Sequence, residues 1–575
     1  MFHLLSFTAL IKKVYIFIII TILLSAGGFA SYASAVEINA AQLNPLFVEW
    51  QNKMDTRKTS GSDKTSTDFF ETDSSQGYAP SPVDWSHLDN VAYSVINGGS
   101  DSNRRGTTLP VSYDLRLLDG IPAVRDQNPF GTCWTFAAMA AAESNLIHDK
   151  KILTKDNADL SEWYLAYYGY NDESAELPSF TNNSSKKYYD VGGDDWRSVA
   201  ILSRGTGFLD ESSAAYPKST NDIYKPAITA RKYKLKNALY LGNLNTKEVR
   251  LKDSRKDTIK EAIRTYGAVS IGLTAVDTSE DGDTNKYYSD TTWAYYKHSA
   301  EGSTPDHAVT IVGWDDDYSL DNFILKPKAK GAWIIRNSWG TAYHDKGYYY
   351  ASYEETSLHD GVAYDTAAAP DKERVYQYDP LGLCNFINYP DIKTAYFANI
   401  FKASRNEKIN SVSFYTSRPN SQGTVKIYKN CGANPIGGTL VAEKSFTLPA
   451  PGYNTVDLDS AVAIPNYGKF SVVVSISLPD IADPAIPVEY PLKDYSEKAK
   501  ASAGQSFISS DGTAWDDLPT LKDYENANVC IKAFGTLDEN PADTGSGGGG
   551  CSTGPVMILL LTLAAVPFMF TRKKH

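Results

Sequence analysis

Cysteine is scarce in this chain, with five residues in 575. So few exclude a disulfide-stapled scaffold. No His or Cys cluster has the spacing of a structural zinc site, and no metal or other cofactor is expected. Surplus positive charge is also missing: 56 basic residues against 68 acidic ones leave a formal charge of −12. A nucleic-acid partner is therefore not expected, because neutralising phosphates takes an excess of Lys and Arg. Internal repeats are absent, and long apolar runs are confined to the two ends. What remains is ordinary for folded protein, 42% apolar and 22% charged. At roughly 150 residues per domain the length corresponds to three or four units. Aromatic content is high at 12%, with 38 Tyr, which suits β-rich folds.

The ends read as addresses rather than as fold. Residues 1–35 have the order of a secretory signal: Lys12 and Lys13, an apolar run over 14–24, then Ala33-Ser34-Ala35 as a small-residue cleavage site. At the other end a Gly-rich spacer precedes Cys551-Ser552-Thr553-Gly554, an apolar stretch over 555–570, and Arg572-Lys573-Lys574. The basic end would stay cytoplasmic, and sixteen apolar residues are slightly short for a free-standing span. This order resembles bacterial C-terminal sorting signals, which implies a sorting protease as partner. A plain tail anchor is the alternative. Either way the body is expected outside the cytoplasm, at the cell surface or released from it. Without the ends the body carries a charge of about −17.

Along the body, 36–108 has little hydrophobic periodicity and reads as a leader or pro-segment. Its stretch 55–76 is rich in Ser, Thr, Asp and Lys and reads as a linker. Two apolar pieces, around Phe47-Val48-Glu49-Trp50 and Val83-Asp84-Trp85, are suited to docking. Residues 109–371 mix the two periodicities: a helix over 133–148 and a shorter one over 259–266, with strands over 268–273, 308–313 and 332–336. From 372 to 536 short strands alternate with Gly, Pro and Asn turns, among them 409–415, 424–428, 470–478 and 529–534, which predicts a β-sandwich. Residues 537–554 are linker and sorting motif, and 555–575 the apolar segment with its basic tail.

A set of candidate catalytic residues stands out in 109–371. A thiol is a useful nucleophile as its thiolate, which a helix N-terminus or an imidazolium favours. Cys133 follows Gly131-Thr132 at the start of the expected Ala-rich helix. Taken alone it would more often be a buried structural cysteine. Gln127, six positions earlier, could join the Cys133 N–H as a two-donor pocket for an oxyanion. Of eight His, only His307 opens a strand, in Asp306-His307-Ala308-Val309, where its ring would stay accessible as a base. Asn337, in Asn337-Ser338-Trp339-Gly340, could accept from one ring N–H of His307 and fix its tautomer. Trp339 could cover that bond from water.

Together these blocks resemble the papain family of cysteine peptidases over about 109–365. The resemblance implies a two-lobed α+β peptidase domain. It makes Cys133 the nucleophile, His307 the general acid/base, Asn337 its orienter and Gln127 the oxyanion donor. Gly192 and Gly193 fall where the family pairs its backbone with substrate. Asp306 and Trp339 belong to the same substrate-binding cleft, Trp339 as the shield. Gly272 falls at a wall of the second-residue pocket, where its lack of a side chain leaves room for a bulky apolar or aromatic group. Three departures stand out. Phe130 replaces the usual Cys of a disulfide. His344 replaces a Gly and is expected as a surface replacement. The helical inhibitory motif of plant and lysosomal pro-segments is not found.

The region from Arg374 resembles the lectin-like domain of bacterial and archaeal surface proteases. The resemblance implies a carbohydrate or other cell-surface ligand for the all-β part. Cys384, Cys431 and Cys530 lie here, enough for one disulfide with one thiol left over. The resulting expectation is a secreted, surface-associated endopeptidase acting on protein or peptide. The alternative is a surface adhesin in which the sandwich makes the functional contacts and the peptidase domain is scaffold.

Overall fold

Five α-helices occur among the described residues: α1 (Pro45–Thr59), α2 (Cys133–His148), α3 (Glu162–Tyr170), α4 (Asp195–Ile201) and α5 (Asp253–Tyr266). The computed structural model describes residues 37–59, 77–89, 91, 93–96, 108–181, 189, 191–229, 231–243, 253–275, 286–298, 304–478 and 484–539. The expected signal and the apolar C-terminal segment lie outside them. No helix among the described residues is long and apolar enough to cross a membrane.

Helix α2 forms where the Ala-rich run predicts it. Every residue from 133 to 147 is buried, so the helix needs no polar stripe, and its Ala side chains let neighbours approach closely. Helices α3 and α4 pack beside it and start on side-chain caps. Ser161 Oγ accepts from the Tyr164 N–H at 3.1 Å. The Asp194 carboxylate accepts from the N–H groups of Trp196 and Arg197 at 2.8 and 3.1 Å. Together these helices form one lobe. The second lobe is an antiparallel sheet in the order 233–242, 359–368, 269–273, 307–315, 332–336, 348–352. Its core gathers Ile271, Val309, Ile311, Trp333 and Ile335, with Ile259 and Ile263 of α5 laid across it. Helix α5 begins six residues before the expected 259.

Among the described residues the C-terminal region is a sandwich. One layer has the order 439–448, 421–429, 469–477, 394–402, 506–509, 516–517. The other contains 374–376, 531–537, 407–416 and 452–464, and it runs without a break into the sheet of the second lobe. The joint is Gly452 opposite Leu239 and Tyr453 opposite Ala238. Gly452 has φ +117° and a Cβ there would sit 2.2 Å from the Ala238 carbonyl oxygen, so only glycine closes this seam. Val412, Phe414, Val472, Val474 and Ile531 fill the space between the layers.

The N-terminal residues behave differently from a linker. Strand Asn39–Ala40 pairs antiparallel with Asn385–Asn388 at the edge of a small third sheet in the C-terminal region. Helix α1 runs to Thr59, past Asp55 where a linker was expected to begin. Phe47 is fully buried against Cys384 and Tyr495, and Asp55 pairs with Lys493 at 2.5 Å. Of the second docking piece, Val83 and Trp85 are buried as expected. The four described cysteines, Cys133, Cys384, Cys431 and Cys530, are all unpaired thiols, so the single disulfide expected in the sandwich is not made. Phe130, at the position of the missing bridge, packs instead on Trp163, Tyr189 and Tyr216.

Candidate active site

The three separated blocks meet at the seam between the lobes. Cys133 is the first residue of α2, where the first backbone N–H groups have no partner within the helix and carry its positive end. His307 is the first residue of the strand His307–Asp315, and the next N–H, that of Ala308, donates to Cys133 Sγ at 3.3 Å. Asn337 follows the strand Ala332–Arg336, whose register against His307–Asp315 sets Arg336 opposite Thr310. That register brings Asn337 Oδ1 to 2.8 Å from His307 Nε2. The amide oxygen accepts, so Nε2 carries the proton and the neutral ring keeps Nδ1 as its basic nitrogen. Trp339 lies over the imidazole with ring centres 5.0 Å apart.

Gln127 is buried beside this group. Ser338 Oγ donates to its Oε1 at 2.6 Å, and Nε2 donates to the Phe130 carbonyl at 3.1 Å. The amide is thereby fixed end for end, with its nitrogen toward the loop that leads into Cys133. Tyr216 holds the same loop, its hydroxyl donating to the Gln127 carbonyl and lying 2.6 Å from Thr132 Oγ1. Sequence reading gave no role to Ser338 or Tyr216. Ser338 could have been found from its place between Asn337 and Trp339. Tyr216, 84 residues from Thr132, had no such signal.

The remaining site residues line a cleft that the chain itself occupies. Residues 77–79 run through it. Gly193 N–H donates to the Gly77 carbonyl at 2.9 Å, the Ala79 N–H donates to the Gly193 carbonyl at 2.9 Å, and the Tyr78 N–H donates to the Asp306 carbonyl at 3.1 Å. Gly193 lies so close on Trp134 that a Cβ would be 2.5 Å from its ring. Gly192, with φ +81°, brings the backbone into place, and Tyr170 donates to its carbonyl. Gly272 faces the Tyr78 ring, where a Cβ would meet Cζ at 2.9 Å. At the end of that pocket Asp360 accepts from Tyr78 at 2.8 Å and from Tyr240 at 3.2 Å. Asp360 and Tyr240 were not foreseen, because they come from distant strands that only the fold brings together.

Occupation of the cleft reverses the expected ionisation. Burial pushes the Cys133 thiol up to about 12, against the downward pull of the N–H groups of Ala308, Gly77 and Trp134. With 77–79 in place the sulfur is therefore a neutral thiol, despite its seat at a helix N-terminus. From the covering segment the Gly77 N–H reaches the sulfur. Burial likewise raises Asp360 to about 6. His344 is not the surface replacement expected. It is buried and lies 3.0 Å from Asn337 Nδ2 through its Nε2.

Two family models match the chain: "Papain family cysteine protease" over residues 109–366 and "Lectin like domain" over 375–535. The chain carries a papain-family cysteine protease domain. A solved structure of the cysteine protease and lectin-like domains of Cwp84, a surface layer associated protein of Clostridium difficile, matches this protease and its sandwich together. It covers 87% of this chain and 98% of that one at 23% identity and TM-score 0.65. A second, of a clostridial Cwp84 variant after propeptide cleavage, covers 74% of this chain and 99% of that one at 25% identity and TM-score 0.60. Falcipain-2a of Plasmodium falciparum (isolate 3D7) is 25% identical over 252 residues, 43% of this chain and 42% of the relative. The chain spans about half the length of the curated relatives it matches. Residues 109–366 thus form an α+β papain-like domain followed by a lectin-like β-sandwich, the fold class expected from the sequence.

Proposed function

We propose that the protein is an exported, surface-associated cysteine endopeptidase made in a closed form, with residues 77–79 as the plug. The observation that carries this reading is the meeting of Cys133, His307 and Asn337 under a strand of the chain's own leader. Once the plug leaves, water reaches the sulfur, and the helix N-terminus and His307 favour the thiolate–imidazolium pair. The thiolate then attacks a peptide carbonyl carbon. Gln127 and the Cys133 N–H stabilise the oxyanion, and His307 protonates the departing amine as the C–N bond breaks. A water, deprotonated by His307, hydrolyses the thioester and restores the thiol. Asn337 keeps the imidazole in line, and Trp339 keeps water off that bond.

Specificity follows the plug. Tyr78 fills the pocket between Gly272 and Asp360, and we read that pocket as taking an aromatic side chain with a terminal hydroxyl. The surface setting draws support from the signal-like N-terminus and from the surface layer association of Cwp84. The lectin-like sandwich is the part suited to a carbohydrate or other cell-surface ligand, and the segment from Cys551 onward suits a sorting protease. An adhesin with a protease scaffold would have no use for the buried Gln127–Ser338 and His307–Asn337 bonds. The test is labelling of the processed protein by an epoxide cysteine-protease inhibitor, with loss of both label and peptide hydrolysis in Cys133→Ala. Unchanged hydrolysis by that variant would overturn the assignment.

A further inference from the structure

The amide of Asn337 is held at both ends. Its Oδ1 accepts from His307 Nε2 at 2.8 Å and from the Ser338 N–H at 2.8 Å. Its Nδ2 points to His344 Nε2 at 3.0 Å, and since an amide NH2 can only donate, that ring nitrogen must hold a lone pair. The proton of neutral His344 is then on Nδ1, 2.5 Å from the Tyr288 hydroxyl. A line of hydrogen bonds therefore runs His307, Asn337, His344, Tyr288, drawn from three separate segments of the chain.

His344 occupies its place at a cost. It has φ +54° in a turn where Gly347 follows with φ +91°, and the left-handed region is one that side chains with a Cβ disfavour by about 1 kcal/mol. The backbone there would be better served by glycine. What the imidazole contributes lies in its surroundings. Its ring stacks on Trp339 at 5.8 Å, meets Tyr349 at 4.9 Å and Tyr288 at 5.2 Å, and is shielded from solvent. A strained residue at a catalytic seam, with every ring face covered and one nitrogen on the orienting Asn, points to positioning.

We propose that His344 is a positioning residue which, as a lone-pair acceptor for Asn337 Nδ2, holds the amide in line with His307 and so keeps Nδ1 of His307 for the sulfur. This rests on the reading of Cys133 and His307 as the reacting pair. The role requires His344 to stay neutral. If both its nitrogens carried protons, an N–H would face the Asn337 NH2, two donors opposed, and the amide would be pushed out of line with His307.

The groups that face the ring set its charge. From the strand His307–Asp315 comes His307, whose positive form opposes a second cation. From Tyr288–Ser289 and Tyr348–Ser352 come the neutral phenols of Tyr288 and Tyr349. Asn337 and Trp339 face it from the loop after Ala332–Arg336, and Tyr343, Asp345 and Lys346 flank it on its own turn. Burial, with His307 adding to it, lowers His344 to about 4. The amide is thus held through the neutral and mildly acidic range and is released near pH 4.

Three processed enzymes test this: wild type, His344→Gly and His344→Gln. Gly relieves the turn but removes the acceptor. Gln offers an oxygen that accepts without titrating. The readouts are kcat and KM on one peptide, and the rate of Cys133 alkylation, from pH 3.5 to 8. For His344→Gly we expect kcat to fall about tenfold or more with KM little changed, since a misaligned reacting group costs rate rather than binding. For His344→Gln we expect most of kcat to return, with alkylation and kcat on the acid side falling less steeply than in wild type. Wild-type kcat and an unaltered acid limb in both variants would overturn the proposal. So would equal loss in Gln and Gly with the wild-type profile. If Gly fails to fold, the Gln profile decides alone. Failure of the underlying reading is distinct, because wild type itself would then escape the epoxide label.

Discussion

A fully buried thiol makes a poor nucleophile, and Gly77 is where the segment that covers Cys133 comes closest to it. A Cβ at position 77 would stand 2.0 Å from the Gly131 carbonyl oxygen, and that contact is with backbone that cannot swing away. Gly77→Val should therefore lift the plug without any cut. We expect uncleaved Gly77→Val to react with iodoacetamide at Cys133 about tenfold faster than the uncleaved parent, read by mass spectrometry of the labelled peptide. At the other end of the plug, Asp360 accepts the Tyr78 hydroxyl. In processed Asp360→Ala the ratio of kcat/KM for a peptide with Tyr at that pocket to its Phe counterpart should fall about tenfold, the worth of one hydrogen bond to a charged acceptor. An unchanged ratio would place the Tyr pocket elsewhere.

Among the elements, α2 was the most legible, because an Ala-rich run opening on Gly-Thr-Cys dictates both its span and the residue at its head. The strands that carry His307 and Asn337 were legible too, from short β-branched runs with polar ends. Their meeting was not, since the register that sets Arg336 opposite Thr310 is a tertiary fact. Helix α1 was missed because it lacks an apolar stripe of its own. It is fixed largely by Phe47 against Cys384 and Tyr495, contacts hundreds of residues away. His344 was misjudged for a related reason: a polar residue in a turn gives no sign of being enclosed by Tyr288, Trp339 and Tyr349. The loop ahead of α2 offers a stability test. Phe130 replaces a covalent bridge by an aromatic cluster, so Phe130→Ala should destabilise the protein by about 3–5 kcal/mol, measured by chemical denaturation. A loss near zero would mean that Trp163 and Tyr216 hold the loop unaided.

At the scale of the molecule, the described N-terminal residues, the papain-like domain and the sandwich are interlocked rather than strung in series. The strand 452–464 extends the protease sheet through Gly452, and the strand 39–40 completes an edge of the C-terminal region. Residues 39–59 thus hold the C-terminal region with a strand and a helix, and residues 77–79 lie in the cleft of the papain-like domain. The sequence marked 36–108 as a leader or pro-segment with two apolar pieces suited to docking, and Phe47, Val83 and Trp85 are indeed buried, but the strand pairing and helix α1 were not readable. Edge pairing is set by shape, not by any local motif.

That double grip separates nicking from opening. A cut between positions 96 and 109 would turn a tethered plug into a free ligand, still seated by Asn39–Ala40, Phe47 and the Asp55–Lys493 pair. Its occupancy would then obey mass action instead of effective concentration. Freshly cut protein should be nearly silent at high concentration and gain specific activity on dilution, with a lag set by how fast the fragment departs. Specific activity independent of concentration would mean that the fragment leaves as soon as it is severed.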